Sequence, residues 1–192
     1  MKYLLKIAFV TLLFSFVMKN VGDHKLKPFK VSTKSNAIEL LIPETLSQLT
    51  NEEAISTYGM ARTPMAIFTD ELKDVSIIIS VKPLPSGNVD DLNLEIEKSF
   101  KKSALTSEFG NVNILKEEVT TINDFKAIVF EFDSEIAGKD GKGENTSSKN
   151  YNYIAYLYKK DREYSVNFNT PATLKEDWKA DASLIINSIK VK

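Results

Sequence analysis

The chain has no cysteine, one histidine and one tryptophan in 192 residues. Without cysteine there is no disulfide framework, no thiol nucleophile, no thiolate metal site and no cysteine to carry a lipid. The chain is therefore indifferent to the redox state of its compartment. The single histidine, His24, falls in a stretch without periodicity. Ser-His-Asp and Cys-His catalysis both need a histidine held rigidly beside a nucleophile, so His24 is not expected to be catalytic. An excess of either charge is also missing: 25 Lys and Arg stand against 26 Asp and Glu. No basic stripe marks a nucleic-acid surface, and neither DNA nor RNA is an expected partner. No catalytic or metal-binding motif occurs, and no cofactor is implied.

The first segment reads as an address. Met1 to Asn20 is MKYLLKIAFVTLLFSFVMKN. Lys2 and Lys6 give a positive start, and the apolar run from Ile7 to Met18 is shorter than the roughly twenty residues of a membrane span. Residues 1–22 are therefore expected to be a secretory signal, with an uncleaved N-terminal anchor as the alternative. Either way the domain lies outside the cytoplasm, exported to the periplasm or secreted. Residues 1–22 hold Lys2, Lys6 and Lys19 and no acid, so the rest of the chain carries a formal charge of about −4, a mild acidic bias. Residues 23–36, with Lys25, Lys27, Pro28, Lys30 and Lys34, read as a linker. Residues 37–192 read as one domain.

Hydrophobic spacing then lays out that domain. Ala37 to Ile42 is a short strand stopped by Pro43. Thr50 with Glu53 has capping-box spacing and opens a helix that Gly59 would close. Pro64 to Thr69 and Val75 to Lys82 read as a hairpin, with Ile77, Ile79 and Val81 alternating with polar residues. A longer helix is expected from about Val89 to Phe109, with Leu92, Ile96, Phe100 and Ala104 as its buried face. Val112 to Ile122 and Phe125 to Asp133 are strands joined at Asn123–Asp124. Residues 137–150, AGKDGKGENTSSKN, read as a mobile polar loop. Tyr151 to Lys159 and Glu163 to Asn169 form a hairpin across Lys160–Asp161–Arg162. A last helix follows Pro171, carrying Leu174, Trp178, Ala182, Ile185 and Ile189 at helical spacing, with Thr173 and Glu176 as a second capping box. Hairpins separated by helices imply an α+β fold. The natural packing is a six- or seven-stranded antiparallel sheet with helices on its faces.

Over residues 37–192 this layout resembles the PsbP/Mog-like superfamily, which includes DcrB-like periplasmic proteins. The carriers are the strand ending Ile42–Pro43, the two hairpins with the long helix between them, and the ending Asn167–Phe168–Asn169–Thr170–Pro171, Trp178, Ile185 and Ser188–Ile189. The resemblance implies an α/β/α sandwich that acts as a binding or assembly module. In that superfamily such modules serve photosystem assembly in plastids, bind a small GTPase in eukaryotes and have envelope roles in bacteria. It brings no catalytic set and no particular partner surface.

Few residues could carry chemistry. Glu131 and Asp133 project from one face of a strand, about 7 Å apart by strand rise. Two such carboxylates could form a cation site or a glycosidase pair, although pairing with lysines is the commoner arrangement. Asp140 to Glu144 is similar to a calcium loop, but the register puts Ile136 and Gly138 where side-chain oxygens are needed. Tyrosines crowd the last hairpin, with Tyr156 and Tyr158 on the face opposite Tyr151 and Tyr153. With the Lys160, Asp161 and Arg162 turn, Tyr156 and Tyr158 make a candidate partner-binding surface, because loops on a rigid sheet commonly carry recognition. The expected function is an exported, non-enzymatic binding or assembly module of the bacterial cell envelope. Its partner is expected to be an envelope protein, and membrane contact is expected only through an uncleaved N-terminal segment. The alternatives are a carrier of a small ligand or cation with a pocket between sheet and helix, and a carboxylate-dependent hydrolase using Glu131 and Asp133.

Overall fold

Alternating apolar residues near the end of the chain are met by three strands that run longer than their spacing alone implies. The protein is described here by a computed structural model, which covers residues 24–33, 35–58, 64–85, 87–139 and 145–192. In chain order the strands are β1 (Leu26–Ser32), β2 (Ala37–Pro43), β3 (Ser47–Gln48), β4 (Ala66–Thr69), β5 (Ser76–Pro83), β6 (Asn111–Ile122), β7 (Phe125–Lys139), β8 (Asn145–Lys159), β9 (Arg162–Pro171) and β10 (Lys190–Val191). The helices are α1 (Asn51–Tyr58), α2 (Leu94–Phe109) and α3 (Lys175–Asn187). A seven-stranded antiparallel sheet runs in the order β3-β4-β5-β9-β8-β7-β6, and a smaller sheet in the order β1-β2-β10. This is the expected α+β layout, with helices on both faces of the large sheet.

Alternation sorts the side chains of the large sheet into two cores. Ala127, Val129, Tyr151, Tyr153, Ala155, Tyr164, Val166 and Phe168 face α3 and the smaller sheet, and share one core with Ile38, Leu40, Ile42, Trp178, Ala182, Ile185 and Ile189. Ile128, Phe130, Phe132, Ile154 and Tyr158 face α2 and pack with Leu105. The turn joining β6 to β7 has φ of 45° at Asn123 and 72° at Asp124, the left-handed pair that a type I′ hairpin requires. The capping box forms as expected at α1: the Thr50 N–H donates to Glu53 Oε2 at 2.8 Å, and the Glu53 N–H donates to Thr50 Oγ1 at 3.3 Å. Gly59 and residues 1–22 lie outside the described residues, as do Asp140 to Glu144. Among the described residues no helix is long and apolar enough to cross a membrane.

Four local expectations are corrected. Residues 26–32, expected within a linker, form β1, which pairs with β2 from Leu26↔Pro43 to Ser32↔Ala37. It is an edge strand, where Pro28 leaves no internal ladder donor missing, and Phe29 sets its ring edge-on to Phe68 at 4.9 Å. Residues 137–139 and 145–150, expected within a polar loop over 137–150, are instead two strand ends, with β7 and β8 in register out to Lys139↔Asn145. Residues 146–149 are exposed, so no core demanded the alternation by which a strand is recognised. Thr173 makes no cap; it sits in a short 3₁₀ turn (Ala172–Leu174) ahead of α3.

The fourth correction concerns the face of α2. A 3₁₀ turn at Val89–Asp91 precedes it, and Asn93 caps it by accepting from the N–H groups of Glu95 and Ile96 at 3.1 and 3.2 Å. Its buried residues are Lys101 and Leu105, while Ile96 and Phe100 are 56% and 67% exposed. The helix ends at Gly110, whose φ is 71°; a Cβ there would stand 2.8 Å from the Glu135 carbonyl oxygen. That close approach and positive φ favour glycine where the helix turns into β6.

Candidate functional site

The β8–β9 hairpin carries clefts on two of its sides. On the first, α2 covers β6, β7 and part of β8 but leaves β5 and β9 open. The result is a groove of about 420 Å³ whose lining includes Lys82, Lys101, Tyr156, Glu163, Ser165 and Asn167. Because Tyr164 points into the opposite core, its neighbour Glu163 must point towards α2. There it is buried and accepts from Lys101 Nζ through both oxygens at 2.8 Å. Lys101 also lies 3.3 Å from Glu97 and 4.5 Å above the Tyr156 ring centre. Lys82, directly across from Glu163, adds a contact of 3.1 Å. Burial works to lower the Lys82 ammonium pKa, but the Glu163 carboxylate outweighs it and the balance is a raised value. Burial, reinforced by Glu163, Glu108 and Glu97, pushes the Tyr156 phenol up. Among the described residues, the buried Asn167 Oδ1 has no hydrogen-bond donor.

Tyr156 therefore stands at the edge of a groove. Tyr158, grouped with it as contact surface, does not: it is only 2% exposed and packs in the α2 core. Its hydroxyl has no partner among the described residues, and burial raises its pKa.

Lys160, Asp161 and Arg162 line a second cleft, of about 310 Å³, shared with Ser35, Asn36, Lys159, Tyr164 and Lys192. Three segments meet there, and each is pinned. The turn carbonyls of Lys160 and Asp161 accept from the N–H groups of Val89 and Leu84 at 2.8 and 2.7 Å. The Tyr164 hydroxyl donates to Asn36 Oδ1 at 3.0 Å. The Lys192 N–H donates to the Ala37 carbonyl at 2.9 Å.

Glu131 and Asp133 share a face, as their spacing requires, but each already has a lysine from α3. Glu131 accepts from the Tyr151 hydroxyl at 3.1 Å and pairs with Lys179 at 3.3 Å. Asp133 is held by Lys175 at 2.8 and 2.9 Å. Lys175 and Lys179 thus supply the positive charge that a bound cation would bring. Burial, followed by the Glu131 carboxylate, pushes the Tyr151 phenol above its ordinary range.

One constellation escaped the sequence reading. The His24 ring stacks on Trp178 at 3.6 Å, and its Nδ1 lies 2.6 Å from Oδ2 of the fully buried Asp181. A signal for Asp181 existed: it sits three residues after Trp178 and four before Ile185, on the inward stripe of α3. No local signal linked it to His24, 157 residues away. Likewise, nothing local gathers Ser35, Asn36 and Lys192 around the 160–162 turn.

No protein-family model and no curated protein matches the sequence. Solved structures do match in fold. The cyanobacterial PsbP (CyanoP) of Synechocystis is similar with a TM-score of 0.61 and 14% identity, covering 90% of this chain and 96% of that one. LpqN of Mycobacterium tuberculosis, described as involved in cell envelope biogenesis, gives 0.57 and 10%, covering 93% and 96%. The Ran-binding protein Mog1p of Saccharomyces cerevisiae gives 0.53 and 13%, covering 86% and 96%. At these identities the likeness establishes a PsbP/Mog-like fold.

Proposed function

We propose that this chain, on its PsbP/Mog-like fold, is an exported, non-enzymatic binding module of the bacterial cell envelope. One observation carries the reading: the carboxylates of the large sheet that could do chemistry are paired with the protein's own lysines. Glu131 holds Lys179, Asp133 holds Lys175 and Glu163 holds Lys101 and Lys82. A hydrolase using Glu131 and Asp133 would need them free, in one cleft, with separated pKa values. What remains available is surface shaped by rigid elements, as recognition requires. Export is supported by the basic start and apolar run of residues 1–22, and an envelope role accords with the description of LpqN.

The test is fractionation and in-cell cross-linking of the full chain in its host. Recovery in the envelope fraction with discrete cross-linked protein partners is expected. A cytosolic location would remove export, and an envelope location without any cross-linked partner would remove the binding role.

A second reading, a small-ligand carrier, is favoured by the groove between α2 and the sheet. It is concave and partly apolar, with Tyr156, Ser165 and Asn167 among its lining.

A further inference from the structure

The two clefts beside the β8–β9 hairpin differ in charge. In the α2 groove, Lys82 and Lys101 are matched by Glu108 and Glu163, and both lysines are already in ion pairs. In the second cleft four cations, Lys159, Lys160, Arg162 and Lys192, stand against two carboxylates, Asp161 and the Glu39 that pairs with Lys192. That concentration of positive charge sits on a chain whose overall balance is −1.

The cations there are only partly used. Arg162 Nε lies 3.5 Å from Asp161, a long contact that leaves the two terminal guanidinium nitrogens for another acceptor. Lys159 Nζ donates to the Val191 carbonyl, a neutral group, at 3.3 Å. Lys192 reaches Glu39 at 3.2 Å. Among the described residues Lys160 has no side-chain partner at all. Bringing four cations together costs energy through their mutual repulsion, and the pinned turn, the pinned Asn36 and the pinned strand end hold them there. Ser35 adds a hydroxyl donor on the facing loop, held in place by the Asn36 side chain, which donates to Ser35 Oγ at 3.2 Å.

We propose that this cleft binds the phosphate group of a phosphate-bearing ligand. Phosphate, with three acceptor oxygens and up to two negative charges, can use several converging cations at once, and an arginine fork meets it bidentately. A lone carboxylate would satisfy one or two of them. The volume of about 310 Å³ suits a headgroup-sized anion and not a folded domain. The assignment rests on the binding-module reading and names the chemistry that the module recognises.

The test uses the full chain in non-ionic detergent, titrated with inorganic phosphate at constant ionic strength and followed by amide-resolved NMR. Saturable shifts are expected at Ser35 and Asn36, at Lys159 to Arg162 and at Lys192, with none around Lys101. The double variant Lys160→Asn, Arg162→Gln should weaken binding about tenfold or more with an unchanged unfolding midpoint. Asn is chosen because Lys160 has a φ of 53°, a conformation that asparagine tolerates. The absence of a saturable shift, an undiminished shift in the double variant, or acetate binding as tightly as phosphate would each overturn the proposal.

A second arm compares the same two proteins on phosphatidylcholine vesicles with and without phosphatidylglycerol. The N-terminal segment is common to both, so a wild-type excess that depends on phosphatidylglycerol assigns the phosphate to a lipid headgroup. Phosphate binding without that excess assigns it to a soluble ligand. If phosphate binding fails while the in-cell cross-links persist, only the ligand assignment falls; if both fail, the binding module falls with it.

Discussion

The two faces of the seven-stranded sheet are closed to different degrees. One is sealed by α3 and the smaller sheet, over a core that includes Phe68, Phe168, Trp178 and Ile185. The other is covered by α2 only over β6, β7 and part of β8, and the groove begins where that cover stops. Their buried charges differ to match. On the sealed side Asp181 is enclosed completely and depends on one imidazole. On the open side Glu163 is shared by two lysines at the floor of a groove. The face under α3 and the smaller sheet carries the larger core, whereas the face under α2 leaves a groove between helix and sheet, and substitutions should separate the two.

The largest effect is expected in the sealed core. Phe168 is fully buried, its ring 5.7 Å from Trp178 and 6.5 Å from Tyr151. Phe168→Ala should cost about 4 kcal/mol, the lost transfer energy plus the cavity left behind. Chemical denaturation measures it. A loss below about 1 kcal/mol would mean that this core is far looser than described.

His24→Ala comes next. It strips the partner from a buried carboxylate whose other oxygen already lacks a donor among the described residues. Removing one member of a buried pair costs about 3 kcal/mol. Because the cost arises from the stranded charge, adding Asp181→Asn should return much of it. A simple sum of the two single losses would show that His24 acts only by stacking on Trp178.

The sign reverses on the open side at Tyr158. Its hydroxyl is buried without a partner among the described residues, so Tyr158→Phe should stabilise the protein by about 1 kcal/mol. It should also flatten the alkaline limb of stability. Burial raises the folded phenol above its ordinary 10.0. The folded chain therefore keeps a proton that the unfolded chain releases. The stability this secures is whole below pH 10.0 and is lost as pH climbs towards the folded value. Stability measured across that range should fall less steeply in the variant.

Much of this was legible in the sequence, and the gaps have physical causes. Strict alternation in Ile128, Phe130 and Phe132, and again in Tyr164, Val166 and Phe168, specified β7 and β9 because each has one face in a separate core. Asn123–Asp124 and Thr50–Glu53 are local signals, read from neighbours in the chain. Strand β1 was hidden because an edge strand with Pro28 and two lysines buries little. The phosphate-site candidates fared similarly: Lys160 and Arg162 stood out as a turn, but Asn36 and Lys192 reach them only through tertiary folding.

Helix α2 gives the sharpest case and the smallest expected effect. Spacing of four predicts a buried stripe through Ile96 and Phe100, yet an equal spacing runs through Glu97, Lys101 and Leu105. Hydrophobicity favours the first, but the sheet decides for the second, because Lys101 reaches the inward-facing Glu163 and leaves Leu105 beside Phe130 and Phe132. Phe100→Ser should therefore change stability by less than about 0.5 kcal/mol, as exposed positions do, while Leu105→Ala should cost about 3 kcal/mol. The same denaturation experiment on both variants decides it. A large loss at Phe100 with little at Leu105 would mean that the helix is turned the other way, with Lys101 outside and the floor of the groove dismantled.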